Sequence, residues 1–263
     1  MMENAIFYFT GTGNSLKIAK DIGNNISNCN VISIAKNYSN VNDLNPTGIV
    51  GFVFPVFYCG FPKIVDEFMN KINLSNTSYV FIIAVYGADG GNGGCGQQAK
   101  SIFSNKNVKL NSFFYIKSVD NFIIWTWDVP SIEKQQKTHE IVSNKVNNIS
   151  DIILNKKEFF DKSIVEYIGP IIFGYKRFIK TVNNRSNYFH IRDNCNSCGI
   201  CVKICPVKCI EMGSKPKWLN GNCQFCLGCL HICPRKAINY KKVTLKRNRY
   251  RNPFIEIEEY NNC

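Results

Sequence analysis

The chain has 263 residues, longer than one average domain and short for two large ones, and 45% of them are hydrophobic, the share of a protein that buries a real core. No apolar stretch reaches the roughly eighteen residues a membrane span needs, and the densest, Ile49 to Phe61, is interrupted by Gly51, Pro55 and Gly60. The start, Met1-Met2-Glu3-Asn4, has no basic lead before an apolar run, so no secretory signal is expected and a cytoplasmic protein is the default. Thirteen cysteines could form a disulfide framework. Their odd number, the missing signal and their crowding between Cys195 and Cys233 favour metal ligation in a reducing compartment instead. Charge is uneven: residues 1–174 hold fifteen Lys/Arg against fourteen Asp/Glu, and residues 175–263 seventeen against five. That asymmetry suggests two parts with different partners.

Ala5 to Phe9 is a short apolar strand, followed by Thr10-Gly11-Thr12-Gly13-Asn14-Ser15 and a helical pattern from Leu16 to about Asn25. A strand running through such a turn into a helix is a phosphate cradle. Glycines let backbone N–H groups approach, hydroxyls donate, and the helix N-terminus favours an anion. The plain alternative is a Gly-rich turn with no ligand. No Lys-Ser/Thr follows the last glycine, and Leu16 stands where a dinucleotide fingerprint wants its third glycine, so two other phosphate motifs are excluded.

Further strands are expected at Val31–Ile34, Gly48–Phe54, Tyr79–Val85 and Ser112–Lys117, with helices near Pro62–Lys71 and Gly94–Phe103. Five strands alternating with helices predict a parallel, doubly wound α/β sheet. Its ligand would sit beyond the C-terminal strand ends. Two more strand-end loops flank that place. Pro55, Val56, Phe57, Tyr58, Cys59 and Gly60 follow the third strand; Tyr86, Gly87 and a run through Gly93 and Gly94 follow the fourth. Aromatic and Gly-rich loops beside a phosphate site suit a flat ring stacked on side chains and backbone. Phe57, Tyr58 and Tyr86 read equally well as core or as rim, and a flexible connection with no flavin role is the alternative for the third loop. Cys59 and Cys95, with no histidine near them in sequence, read as ordinary thiols.

Residues 4–120 resemble flavodoxin, whose fold binds flavin mononucleotide (FMN) through such loops. Thr10, Thr12, Gly13, Asn14 and Ser15 fall on its T-x-T-G-x-S/T phosphate motif. The second and third loops match by position, aromatics and glycines only. The resemblance implies FMN held by Thr10 to Ser15, with Pro55, Val56, Phe57, Tyr58, Gly60, Tyr86, Gly87 and Gly93 around the ring.

From Ser131 to about Lys157, Ile132, Ile141, Val142, Val146, Ile149 and Ile153 follow amphipathic helix spacing. The aromatic-rich stretch from Ile164 to Phe189 is expected to pack two modules together. Trp125 and Trp127 leave the fifth strand end and either cover the ring or are buried in a domain interface.

Cys195, Cys198, Cys201 and Cys205 precede Pro206, and Cys223, Cys226, Cys229 and Cys233 precede Pro234. Each set reads C-x2-C-x2-C-x3-C-P, and each member of the second lies 28 residues after its counterpart. Three thiolates three residues apart wrap one turn around three corners of an iron–sulfur cubane, and the fourth reaches the neighbouring cluster. One 4Fe–4S cluster is therefore assigned to Cys195, Cys198, Cys201 and Cys233, the other to Cys223, Cys226, Cys229 and Cys205. Structural zinc, the alternative, wants two ligand pairs separated by a longer loop. Cys209 stands opposite Ala237 in the repeat and reads as an extra thiol. His231 lies inside the second motif, where it would tune a potential.

Residues 190–241 closely resemble the bacterial two-cluster ferredoxins, which relay single electrons at low potential. The whole order resembles the anaerobe ferredoxins with an N-terminal flavodoxin-like region. The expected organisation is thus an FMN domain over 1–130, a helical linker over 131–189, a two-cluster domain over 190–241 and a basic tail over 242–263. From Lys241 to Arg251 the tail has six Lys/Arg and no acid. It reads as a solvated face or as a site for an acidic redox partner, whose association salt would weaken. Nucleic acid is disfavoured, because no reader motif accompanies the charge. The expected function is electron transfer between FMN, two clusters and an external redox partner. A flavin-dependent reductase of a small organic substrate and a redox-sensing regulator are the alternatives.

Overall fold

The computed structural model describes residues 3–125, 127–163, 169–219 and 221–260. β1 (Asn4–Tyr8) buries Ala5 to Tyr8 on both faces, as a strand central in a parallel sheet must. Gly13 turns the chain at φ 95° into α1 (Asn14–Asn24), which buries Leu16, Ile18, Ala19 and Ile22. β2 (Cys29–Ser33), β3 (Ile49–Pro55), α2 (Lys63–Lys71), β4 (Tyr79–Tyr86), α3 (Cys95–Asn105) and β5 (Ser112–Lys117) follow. The strands of this sheet run parallel in the order β2-β1-β3-β4-β5, with a sixth strand paired to β5. The chain leaves β1 toward β2 and returns to β3 on the other side, so the crevice opens beyond the ends of β1 and β3.

The sheet has six strands, not five. β6 (Phe159–Phe160) pairs with β5, Phe159 opposite Ser112 and Phe160 opposite Phe113. Two residues are too few to show an alternating pattern, which needs about four to eight. α4 (Ile132–Leu154) lies between β5 and β6 in the chain and packs on α1 and β5 through Val142, Val146, Ile149 and Ile153. Ile132 and Ile141 stay exposed.

After α5 (Gly169–Thr181), β7 (Phe189–Ile191) pairs antiparallel with β10 (Ile238–Tyr240), and β8 (Ile210–Met212) with β9 (Pro216–Trp218). Two short helices, α6 (Ile200–Lys203) and α7 (Gly228–Ile232), carry the cysteine motifs. Part of the stretch from Ile164 to Phe189 lies outside the described residues. Its described part supplies Phe178 and Val182 to the core. One apolar core runs from Ile6, Val53 and Phe81 of the sheet to Cys201, Ile204, Phe225 and Leu230 of the cysteine module. The two modules therefore share buried surface. The segment after Lys241 is not a free tail: Thr244, Tyr250, Asn252, Ile255 and Tyr260, the last in α8 (Ile257–Tyr260), are buried.

Candidate functional site: a cavity beside two cysteine sets

A cavity of about 420 Å³ opens at the switch point, within the roughly 300–1,000 Å³ usual for small-molecule sites. Thr10, Gly11, Thr12, Asn14, Ser15, Pro55, Val56, Phe57, Tyr58, Tyr86 and Gly87 are among the residues that line it. Phe57, Tyr58 and Tyr86 are half-buried, on the rim of the space.

The first loop is built to hold an anion. Gly13 N–H donates to Thr10 Oγ1 at 3.0 Å, and Asn121 Nδ2 donates to Thr12 Oγ1. Each hydroxyl thus accepts one hydrogen bond and keeps an O–H able to donate. α1 begins at Asn14, so the N–H groups of its first turn have no intrahelical acceptor and favour negative charge. These residues fit a flavin phosphate.

Gly13, Gly60 and Gly93 do not line the cavity. A Cβ on Gly13 would stand 2.3 Å from Tyr260 Oη, one on Gly60 2.3 Å from the Tyr175 ring, and one on Gly93 2.2 Å from Cys59 Cβ. Their work is close packing behind the loops, where the second and third meet through Gly94 N–H donating to Cys59 O at 2.8 Å. Burial raises the Cys59 thiol above its ordinary pKa, consistent with an ordinary thiol.

Several lining residues carried no motif. Asp120, Asn121 and Phe122 follow β5, and Tyr175 and Phe178 come from α5. The strand-end rule would have found the first three; the other two are visible only as members of an aromatic-rich stretch. Trp125 and Trp127 also line the cavity, 58% and 41% exposed. They stand at its mouth and are not buried in an interface.

Most informative, Phe225, Cys226 and Leu227 of the second cysteine motif form part of the cavity wall. Phe178 stacks on Tyr58 with ring centroids 4.3 Å apart, a contact worth roughly 0.5–1.5 kcal/mol beyond area burial. The Arg185 guanidinium lies 5.1–5.2 Å from the rings of Tyr58, Phe178 and Phe225. It also donates to Tyr58 Oη at 3.2 Å. One cation therefore ties the second loop to the cysteine motif.

The eight motif cysteines line two further cavities. Cys195, Cys198, Cys201 and Cys233 meet around one, and Cys205, Cys223, Cys226 and Cys229 around the other, which Cys209 also lines. Among the described residues, no three His, Cys, Asp or Glu side chains could hold a single metal ion. Backbone N–H groups of Cys209, Phe225 and Ala237 donate to Cys205, Cys223 and Cys233 Sγ at 3.3–3.4 Å. Cys209 Sγ lies 3.6 Å from Cys205 Sγ. Hydrogen bonding with Cys209 lowers the Cys205 and Cys223 pKa values and raises that of Cys209 itself.

His231 has a structural role that its position in the motif did not show. Tyr250 N–H donates to Nδ1 at 3.1 Å, so Nε2 carries the ring proton and donates to Asn121 O at 2.7 Å. Burial pushes the imidazole pKa down to about 4, which keeps it neutral. His231 thus joins α7 to the cavity loop and to the C-terminal segment. That segment straps the phosphate loop. Asn252 N–H and Tyr260 Oη both donate to Thr12 O at 2.8 Å. Tyr250 Oη and Asn252 Nδ2 donate to Asn14 Oδ1 at 2.6 and 3.0 Å.

A doubly wound sheet with a hydroxyl-rich phosphate loop, packed on a module of two repeated cysteine motifs, defines a flavin and iron–sulfur redox protein. Residues 5–114 match the flavodoxin domain family, and residues 188–211 match the 4Fe-4S binding domain family. The chain thus carries a flavodoxin domain over residues 5–114 and a 4Fe-4S binding motif over 188–211, the order of an N-terminal flavodoxin-like region followed by a ferredoxin motif. Comparison with curated proteins gives no match. Among solved structures it is similar to the Trp repressor binding protein from Bacillus subtilis, at 15% identity over 54% of this chain and 96% of that one, with a TM-score of 0.36. Rubredoxin oxygen:oxidoreductase from the anaerobe Desulfovibrio gigas is similar at 12% identity over 59% of this chain and 37% of that one (TM-score 0.38). An oxidoreductase from Corynebacterium diphtheriae is similar at 11% identity over 59% and 98% (TM-score 0.32). No helix among the described residues is long and apolar enough to cross a membrane.

Proposed function

We propose that the chain is an internal electron relay, with FMN in the switch-point cavity and a 4Fe–4S cluster in each cysteine-lined cavity. The observation that carries this reading is Cys226. It belongs to the second cysteine set and also forms the wall of the cavity that would hold the flavin. A flavin exchanges one or two electrons and a cluster one, so adjacency lets the chain split or join electron pairs without a diffusing carrier. Thr10, Thr12 and the first turn of α1 would hold the phosphate. Tyr58 and Tyr86 would flank the ring, and Asn121 would fix Thr12. Cys205, Cys223, Cys226 and Cys229 would bind the inner cluster, with backbone N–H groups stabilising its charge. Cys195, Cys198, Cys201 and Cys233 would bind the outer one. An external redox protein would complete the circuit. A reductase acting on a small substrate at the ring is the second reading, and Trp125 and Trp127 at the cavity mouth are the residues that would roof such a substrate.

Anaerobically purified protein should contain about eight irons, with matching acid-labile sulfide, and one FMN per chain. Stopped-flow reduction should then show electrons reaching the flavin through the clusters. Independent reduction of the two cofactor types would defeat the relay. Iron without flavin, even after FMN is added, would leave the sheet domain as a docking module.

A further inference from the structure

The two cysteine-lined cavities are not equivalent. The cavity of Cys205, Cys223, Cys226 and Cys229 lies inside the molecule: three of these cysteines are buried, and Cys226 turns toward the flavin cavity. Among the described residues, the cavity of Cys195, Cys198, Cys201 and Cys233 is lined only by ones between Cys195 and Ile238, none from the sheet domain. Cys198 is exposed, and Cys195 and Cys233 are half-exposed. An electron entering from outside therefore meets this second site first.

The chemistry of its rim is equally one-sided. The three segments that surround the cavity, 192–203, 211–217 and 233–236, carry Arg192, Lys203, Lys215, Lys217, Arg235 and Lys236 against only Asp193 and Glu211. All of these side chains are exposed. Asp193 is already paired with Lys215 at 3.0 Å, so little negative charge is left to oppose an approaching anion. Met212, 38% exposed, and Pro234 offer a small apolar centre at the cavity edge. An apolar centre inside a charged rim is the anatomy of a protein interface, and a small one belongs to transient redox encounters.

In the segment after Lys241, by contrast, Lys242 and Lys246 are exposed, while Arg247, Arg249 and Arg251 are half-buried and bonded within the chain. Arg249 donates to Asn239 Oδ1 and Ile238 O, and Arg247 to Trp125 O. Asn248 is held by Asp128. Arg247 and Arg249 thus brace the fold itself.

We propose that the basic rim around Cys198 is the docking port for an acidic one-electron carrier protein, and that the cluster of Cys195, Cys198, Cys201 and Cys233 is the outer terminal of the relay. This rests on the cofactor reading above. In the entering step the reduced carrier is oxidised by one electron and the oxidised outer cluster is reduced by one. No bond forms or breaks. The electron then passes inward to the Cys226 cluster and the flavin.

The test uses holoprotein and a plant-type 2Fe–2S ferredoxin, an acidic carrier, reduced with dithionite and desalted. Stopped flow follows recovery of the ferredoxin's visible absorbance. Charge reversal at the rim, K215E with K236E, should slow the second-order step by about tenfold or more at low salt, with the difference vanishing at high salt. The neutral pair K215Q with K236Q should fall between. Reversal in the C-terminal segment, K242E with K246E, should have a clearly smaller effect, as expected for charges outside the three segments that surround the cavity. Iron and flavin content should match wild type in all of them. An unchanged rate in iron-replete rim variants, or a larger effect from the C-terminal pair, would overturn the port. Rim dependence with no electron reaching the flavin would instead overturn the relay. Iron-free protein would overturn both.

Discussion

Gly11 and Cys226 stand backbone against backbone: a Cβ on Gly11 would lie 2.3 Å from the Cys226 carbonyl oxygen. The contact is returned by Gly228, whose missing Cβ would lie 2.7 Å from Gly11 O. The loop that would hold the flavin phosphate and the loop that would hold the inner cluster thus touch through two glycines. No side chain separates them, and neither backbone can swing away as a flexible side chain could.

Gly11→Ala should therefore force the two modules apart. Overpacking of this kind costs about 1–3 kcal/mol, read as a lowered melting temperature of the holoprotein. Stopped flow should also show slower flavin reduction through the clusters, with iron content near wild type. A variant as stable as wild type would mean that the loops separate freely.

The C-terminal strap should control flavin retention. Asn252→Ala removes the amide that donates to Asn14 Oδ1, and Tyr260→Phe removes a hydroxyl that donates to Thr12 O. Each lost bond should cost roughly 0.5–1.5 kcal/mol. Together they should weaken FMN binding by about tenfold, since about 1.4 kcal/mol is a factor of ten. Titration of flavin-depleted protein with FMN, followed by flavin fluorescence, checks this.

Cys209→Ala should keep about eight irons per chain, because the remaining motif cysteines still complete two sets of four thiolate ligands. It should also lower the inner cluster's reduction potential, since a hydrogen bond to a cluster sulfur favours the more negative, reduced state. Cys223→Ala should instead lose about four irons. Iron analysis and an anaerobic redox titration separate the two outcomes. Equal iron loss in both variants would make Cys209 a ligand.

Removing the clusters with an oxidant and a chelator should loosen FMN as well. Metal binding and folding are coupled in small cysteine modules, and here Phe225, Cys226 and Leu227 are wall residues of the flavin cavity. Flavin fluorescence should rise as the iron colour bleaches, and reconstitution with iron and sulfide should restore FMN binding. Flavin that stays bound through bleaching would show the two halves to be independent.

Much of this molecule can be read one segment at a time. The phosphate loop from Thr10 to Ser15, the strands that precede the three loops and the cysteine repeat are local patterns. Their chemistry depends on neighbours a few residues apart, so spacing alone carries it. Amphipathic spacing at Val142, Val146, Ile149 and Ile153 likewise marks α4, whose buried face follows from helical geometry. The two-residue β6 had no such pattern, and it became a strand only because Ser112 and Phe113 offer it an edge.

What tertiary structure alone decided is who faces whom. Cys226 on the wall of the switch-point cavity, Arg185 between Tyr58 and Phe225, His231 bridging Asn121 and Tyr250, and Tyr260 clasping Thr12 all join residues far apart in the chain. Nor could charge counting tell an arginine that braces the fold, such as Arg249, from one left exposed, such as Arg235. A side chain's role in such contacts is set by what the packed core brings beside it, and no periodicity in its own neighbourhood records that.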